Sequence, residues 1–150
     1  MIELLLAALL WWSTPTTITY ECDPVLEQAV RVWTDASGLR DGGCSETPTI
    51  SLEVRNPWPW GDTFAVAETN ADSCRIVQRF EGLSVLMLAH EVGHCVGLAH
   101  SSSPGTLMSP NCCPPGLTRD DITAVQALYG PPELRFRGFI PMVAQSTTSP

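Results

Sequence analysis

The segment from His90 to His100 constrains this chain more than any other stretch. It reads HEVGHCVGLAH, which is a His-Glu-x-x-His-x-x-Gly-x-x-His pattern. On a helix, His90 and His94 lie four residues apart on one face, so both imidazoles can reach one metal ion. Gly97 is free to adopt a positive φ and end the helix, which lets the chain turn back and bring His100 to the same ion. The pattern therefore predicts a metal site with three histidine ligands.

Glu91 follows the first of these histidines directly. A carboxylate at this position can hold a water molecule at the metal without being a ligand, and it can take the proton of that water as the water attacks a carbonyl. Three nitrogen ligands leave one position of a tetrahedral zinc ion open, which is typical of catalytic rather than structural zinc sites. We predict zinc as the cofactor and Glu91 as the general base.

Two other hypotheses compete with a catalytic site. A His-Glu-x-x-His pattern alone is weak evidence, because such residues also occur as satisfied polar positions in a core. The chain could therefore be a catalytically silent zinc-containing binding or adhesion module, or a structural protein in which the pattern is incidental. The intact Glu91 argues against a silent module. The chain has three histidines, and all three occupy the ligand positions, which argues against coincidence.

Two further motifs follow downstream. TLMSP places Met108 eight residues after His100, and LTRDDITAVQALYG reads as a closing helix. With these motifs the sequence resembles the metzincin zinc metalloproteases, in particular the matrixins, which include the matrix metalloproteinases and their bacterial relatives. The resemblance covers residues 83–130 and is weaker over residues 16–80. It implies zinc-dependent hydrolysis of internal peptide bonds, with Met108 in a tight turn beneath the metal.

The remaining periodicity fits the fold that this resemblance implies. TTITYECDP, TPTISLEVR, TFAVAET and CRIVQRF read as strands, and DPVLEQAVRVWTDASGL has helical spacing of apolar residues. Thr118, three residues before Asp121, predicts a capping box at the start of the closing helix. We expect one α+β domain with a twisted, mixed and mostly parallel sheet, an active-site helix, and a small C-terminal subdomain that contains the Met-turn and the closing helix.

The resemblance also assigns a substrate strand. In metzincins an edge strand above the zinc pairs backbone to backbone with an extended substrate, and the corresponding residues here are Phe64, Ala65, Val66 and Ala67. The small side chains of Ala65 and Ala67 would let a peptide lie close to the strand. They are equally consistent with small residues that face a helix.

The chain after the Met-turn departs from the matrix metalloproteinases. In those enzymes a Pro-x-Tyr triplet builds the wall of the pocket for the side chain that follows the cut bond, whereas residues 110–112 read PNC. The tyrosine is missing, so their pocket specificity is not expected here. A bridge between the neighbours Cys112 and Cys113 would be strained. We therefore expect each of them to pair with Cys74 or Cys95, without specifying which.

Six cysteines in a short chain with a signal-like start favour a set of disulfides. Cys22 and Cys44 bracket the first helix, and a bridge between them would stabilise the fold by about 3 kcal/mol. The apolar run from Leu4 to Trp12 is too short to span a bilayer and fits a secretory signal. Glu3 stands where a basic residue is typical, so a retained apolar strand or anchor is the alternative.

These boundaries divide the chain into residues 1–14 as the signal-like segment, 15–130 as the domain and 131–150 as a disordered tail, with an adhesive or docking role as the alternative for the tail. A formal net charge of −8 leaves no basic face for phosphates, so we do not expect nucleic acid as a partner. We expect a secreted or extracytoplasmic monomer that acts on proteins or peptides. Loop carboxylates such as Asp41, Asp62 and Asp72 could hold calcium, but no ligand spacing supports it.

Overall fold

The structure is a computed structural model that describes residues 17–132. The signal-like segment and residues 133–150 of the predicted tail lie outside this range. Within it the elements follow the order β1 (Thr17–Tyr20), α1 (Pro24–Thr34), β2 (Arg40–Cys44), β3 (Ile50–Val54), β4 (Ala65–Thr69), β5 (Cys74–Gln78), α2 (Val85–Cys95) and α3 (Arg119–Tyr129). None of the helices described in this range is long and apolar enough to cross a membrane.

The strands form one mixed sheet in the order β2-β1-β3-β5-β4. β1 pairs in parallel with β2 and β3, and β3 pairs in parallel with β5. β4 runs antiparallel to β5 and lies at the edge of the sheet. The predicted α+β fold, with a mixed and mostly parallel sheet and an edge strand, is confirmed.

β2 is a strand that the sequence pattern did not predict, because RDGGC has no apolar alternation and contains two glycines. It forms by pairing with β1, and the register shifts between Ile18 and Tyr20. Gly42 permits this close approach, since a Cβ there would lie 2.8 Å from the carbonyl oxygen of Ile18. The structure joins Cys44, at the end of β2, to Cys22 through a disulfide.

The core lies between the sheet and the two helices α1 and α2. The apolar stripe predicted on α1 is buried and consists of Leu26, Ala29, Val30 and Trp33. The indole Nε1 of Trp33 donates a hydrogen bond of 2.7 Å to the carbonyl oxygen of Ala89 on α2. Because a buried indole N–H needs an acceptor, this bond fixes the position of α2 against α1.

The pairing of the other four cysteines differs from the prediction. Cys74 on β5 is bonded to Cys95 on the buried side of α2, and Cys112 is bonded to Cys113. The prediction that the two neighbours would pair with Cys74 and Cys95 was wrong. β5 packs against α2 and brings Cys74 and Cys95 together, which leaves each neighbour only the other as a partner.

The C-terminal subdomain begins where Gly97, at φ 96°, turns the chain away from α2. It ends with α3, which starts with the predicted capping box of Thr118 and Asp121 and stops at Gly130. Val125 on α3 is buried in the core, whereas Leu128 is 42% exposed. The last turn of α3 lies beside Gly97, and Leu128 covers that glycine.

Asp121 fastens α3 to the Met-turn. Its side chain is buried and accepts hydrogen bonds from the backbone N–H groups of Leu107 (2.9 Å), Met108 (3.1 Å) and Thr118 (2.9 Å). The Thr118 hydroxyl donates another bond of 2.7 Å. Burial raises the pKa of Asp121, but the hydrogen bonds together outweigh it and hold the pKa below its ordinary value. The ionised carboxylate therefore fixes the Met-turn relative to α3.

We predict that Asp121→Asn lowers the free energy of unfolding at pH 7 by about 2–3 kcal/mol, because hydrogen bonds to a buried charged group contribute about that much and an amide cannot accept all of them. Urea unfolding in the same metal-free buffer measures this difference. The control Asp120→Asn changes an exposed neighbour on the same turn and should cost less than about 0.5 kcal/mol.

The difference in unfolding free energy between wild type and Asp121→Asn should also depend on pH. Because the pKa of Asp121 is lowered in the folded state, its stabilising effect is present above the unfolded pKa of about 3.9 and is lost as the pH falls through the folded pKa. The difference in unfolding free energy between wild type and Asp121→Asn should therefore shrink below about pH 4. A constant difference down to the acid transition would contradict this role of the charge.

Candidate active site

Helix α2 has two faces, one in the hydrophobic core and one that lines a cleft. Ser84 caps its first turn by accepting a hydrogen bond from the backbone N–H of Met87. The core face buries Leu88, Val92 and Val96 in the hydrophobic core. The opposite face lines a cleft and carries Met87, His90, Glu91 and His94. This division into two faces is the one that the helical period of the sequence predicts.

The three predicted ligands lie together. Candidate ligand atoms of His90, His94 and His100 are all within 4.8 Å of one another. The Nε2 atoms of His90 and His100 are 3.3 Å apart. Two nitrogen ligands at 2.0–2.1 Å from one tetrahedral zinc ion would be separated by about the same distance, roughly 3.3 Å. The spacing of the histidines therefore fits zinc.

Backbone carbonyl groups orient two of the rings. Nδ1 of His90 lies 2.6 Å from the carbonyl oxygen of Leu107, and Nδ1 of His94 lies 2.8 Å from that of Leu98. A carbonyl oxygen only accepts, so each Nδ1 carries the proton and each Nε2 keeps its lone pair for a metal. Residue types do not reveal such backbone partners, so neither carbonyl could be predicted from the sequence.

Burial keeps these two rings neutral, the form in which imidazole binds a metal. Burial lowers the pKa of His94 to about 4, although the bond to the Leu98 carbonyl raises it in part. Burial also lowers the pKa of His90, against a smaller opposing effect of the Leu107 carbonyl. His100 reaches the cluster from the loop after α2 and is exposed, which leaves the site open on its side.

Glu91 is buried beside the histidines but is not one of the clustered ligands. Its carboxylate accepts a hydrogen bond from the backbone N–H of Ala67 on β4, which lowers its pKa. Burial acts in the opposite direction with a larger effect and raises the pKa of Glu91 to about 7. Because it lies beside the histidines and accepts this bond from Ala67, the carboxylate of Glu91 connects the histidine cluster to the edge strand.

β4 presents an open edge to the cleft. In an antiparallel pair, alternate residues turn their backbone N–H and C=O groups towards the partner strand and away from it. The carbonyl of Phe64 accepts from Arg79 and so faces β5, which places the backbone groups of Ala65 and Ala67 on the open side. The hydrogen bond from the N–H of Ala67 to Glu91 agrees with this alternation, because Glu91 lies on the open side of β4. The side chains of Ala65 and Ala67 are half-buried and pack against the core.

Met108 lies directly beneath α2. It is buried, and a Cβ added to Gly93 would overlap its Sδ atom. Its carbonyl oxygen accepts a hydrogen bond of 2.8 Å from the backbone N–H of Ser101, which closes the loop after His100. The predicted turn thus supports the helix that carries the first two histidines.

The cleft between β4 and α2 has a volume of about 1340 Å³. The predicted site residues that line it are Phe64, Ala65, Val66, Ala67, His90, Glu91, His94, Gly97 and His100. Met108 lies below it, and the Cys22–Cys44 disulfide is on β2, at the opposite edge of the sheet. Within residues 17–132, the three histidines are the one group of three or more histidine, cysteine or acidic side chains whose ligand atoms lie within 4.8 Å of one another, and Asp41, Asp62 and Asp72 are not part of it.

Comparison with known proteins gives partial matches. The family described as Matrixin matches residues 77–130. Interstitial collagenase of Sus scrofa is 52% identical over 48 aligned residues, and the match covers 30% of this chain and 10% of that protein. Neutrophil collagenase of Homo sapiens is 52% identical over 50 aligned residues, and the match covers 30% of this chain and 11% of that protein.

A longer and weaker match covers most of the chain. Matrix metalloproteinase-20 of Homo sapiens is 30% identical over 146 aligned residues, and the match covers 79% of this chain. The matched part spans 30% of that relative's length and about a tenth of the collagenases. Together with the mixed sheet, the histidine cluster and the turn at Met108, these matches confirm the resemblance: the chain is similar to the matrixins in its sequence motifs and its fold.

Proposed function

We propose that the chain is a zinc-dependent endopeptidase that acts on proteins or peptides. The observation that carries this proposal is the joint placement of three histidines, Glu91 and an open strand edge around one cleft. The similarity to two collagenases and to matrix metalloproteinase-20 supports peptide bonds as the target. Protein substrates are also consistent with the net charge of −8, which disfavours nucleic acid.

His90, His94 and His100 would hold the zinc ion. When bound there, zinc would supply a Lewis acid that polarises the substrate carbonyl and makes water more acidic. The Leu107 and Leu98 carbonyls keep the first two rings in the required tautomer, so no proton has to be displaced from Nε2. The exposed side at His100 leaves room for the substrate.

Glu91 would move the proton. Its carboxylate lies beside the histidines without belonging to their cluster, so it is free to accept the proton of the attacking water. The same carboxylate would then deliver that proton to the nitrogen of the leaving amine. The hydrogen bond from Ala67 holds the side chain in place between the histidines and β4.

β4 would hold the substrate. A peptide in extended conformation can pair with the backbone N–H and C=O of Ala65 and with the C=O of Ala67, which face the open side of the strand. Such pairing uses main-chain groups, so it holds a peptide of any sequence across the histidine cluster. We propose an extracytoplasmic location because all six cysteines are in disulfides, which persist in oxidising compartments.

Glu91→Gln is expected to retain zinc and stability but to lose nearly all peptidase activity. The amide can hydrogen-bond to water but cannot accept its proton. General-base catalysis is worth about 10²–10⁴-fold, and the same side chain also serves the leaving amine, so kcat should fall by about 10⁴-fold or more. Hydrolysis of a fluorogenic peptide, together with zinc analysis and the melting temperature, measures the effect.

Glu68→Gln is the matched control, because Glu68 on β4 forms a partly exposed ion pair with Arg55 outside the cleft. Its activity should stay within about threefold of wild type, since such ion pairs contribute at most about 1 kcal/mol to stability. A Glu91→Gln protein that keeps more than about a tenth of wild-type kcat would exclude Glu91 as the general base.

His100→Ala is expected to weaken zinc binding by more than about 100-fold, because even the loss of a partner that merely orients a ligand costs about 10–100-fold. His100 is exposed and follows the end of α2, so its removal should leave the fold intact. Competition with a chromophoric chelator gives the affinity. Ser102→Ala, an exposed change in the same loop, should bind zinc as wild type does. Equal zinc affinity of His100→Ala and Ser102→Ala would remove His100 from the ligand set.

A further inference from the structure

The Cys112–Cys113 disulfide forms part of the cleft wall. Both residues line the cleft, Cys113 is exposed and Cys112 is half-buried against the core. The Sγ atom of Cys112 lies 3.9 Å from the carbonyl oxygen of Leu86, in the first turn of α2. Leu86 and Met87 line the same cleft. The disulfide therefore continues the wall that begins at the helix carrying His90 and His94.

Few backbone hydrogen bonds hold this part of the loop. Asn111 donates to the hydroxyl of Ser109 at 3.4 Å, but the described chain offers no backbone hydrogen bond to residues 112–117. Pro114 and Pro115 have no N–H to donate. The disulfide is thus the main local constraint on the loop, because it ties two neighbouring side chains into one unit.

The wall faces the strand edge where a peptide would pair. A peptide along β4 passes the histidine cluster and points alternate side chains into the cleft. The side chain next to the cut bond would then meet Met87 and the disulfide. Two linked sulfur atoms present one apolar surface of fixed outline, whereas two separate thiols rotate independently and carry S–H donors.

We propose that the Cys112–Cys113 disulfide is the specificity-determining wall of this cleft, and that its reduction by a thiol relaxes the selectivity for the side chain next to the cut bond. This inference rests on the proposed function for its substrate class. In the reduction, two molecules of a monothiol supply two electrons and two protons. The S–S bond breaks, Cys112 and Cys113 become thiols, and the monothiol becomes its own disulfide.

The other two disulfides are poorly placed for this role. Cys74 and Cys95 are buried in the core, so a thiol in solution does not reach them in the folded protein. Cys22 and Cys44 are exposed, but they lie by β2, at the sheet edge opposite to β4. The Cys22–Cys44 pair is therefore a suitable control, because its removal changes disulfide content without touching the cleft.

The first experiment measures peptide binding rather than hydrolysis, so that it does not depend on turnover. Two peptides are compared that are identical except for a Leu or an Ala beside the central peptide bond. One such pair varies the residue before the bond and a second pair varies the residue after it. Each peptide is titrated against zinc-loaded Glu91→Gln protein. A hydrophobic pocket discriminates side chains by about 10–200-fold. We expect a Leu to Ala affinity ratio of at least about 10 with the disulfide intact, and below about 3 in the Cys112→Ala/Cys113→Ala background.

The control background Cys22→Ala/Cys44→Ala should keep the higher ratio. The same low ratio in both backgrounds, or a high ratio in both, would overturn the proposal, as would the absence of binding of either peptide to the intact protein. The peptides could bind with the expected loss of selectivity while the wild-type chain hydrolyses none of them. That result would support the disulfide as the specificity-determining wall and would refute the proposed enzyme activity.

A second experiment avoids dependence on the folding of the Cys112→Ala/Cys113→Ala protein. The Cys22→Ala/Cys44→Ala protein is treated with a monothiol, and alkylation with mass spectrometry identifies the reduced pair. Reduction at Cys112 and Cys113 should lower the Leu to Ala ratio below about 3 and increase amide hydrogen exchange over residues 111–117. Reduction there with an unchanged ratio would overturn the proposal, and so would resistance of the pair to the thiol while Cys74 and Cys95 react.

Discussion

The buried carboxylate of Asp121 holds together the parts of this molecule that the histidine cluster needs. It binds the backbone N–H groups of Leu107 and Met108 from one side, and the carbonyl of Leu107 binds His90 from the other. The same carboxylate caps α3 through Thr118. The charge of Asp121 thus connects the closing helix, the Met-turn and the first histidine. Because of this anchor, the loop that contains Leu107 can orient the imidazole of His90 although the loop has no regular secondary structure.

The sheet supplies a second constraint through its two different edges. β2 ends in a disulfide and lies against β1, whereas β4 leaves the backbone groups of Ala65 and Ala67 turned towards the cleft. Glu91 uses one of these groups, the N–H of Ala67, as its own partner. The general base that we propose is therefore positioned by the same strand that would hold the substrate.

Much of this arrangement could be predicted from the sequence, because short-range patterns encode it. The period of α2, the turn at Gly97, the capping box of Thr118 and Asp121 and the buried stripe of α1 all depend on neighbours along the chain. β2 could not be predicted, since RDGGC becomes a strand only by pairing with β1. The disulfide partners and the carbonyls of Leu98 and Leu107 likewise depend on contacts made through space, which residue types alone do not specify.

The close contact between α2 and the chain beneath it changes how the histidine motif should be understood. In the written pattern, the position occupied by Gly93 is a wild card between Glu91 and the second histidine. In this fold a methyl group at that position would overlap Met108 and lie 2.9 Å from the ring of Trp33. A side chain at this position would therefore force Met108 and Trp33 to move, so the residues packed beneath the helix restrict which residues the motif can carry there.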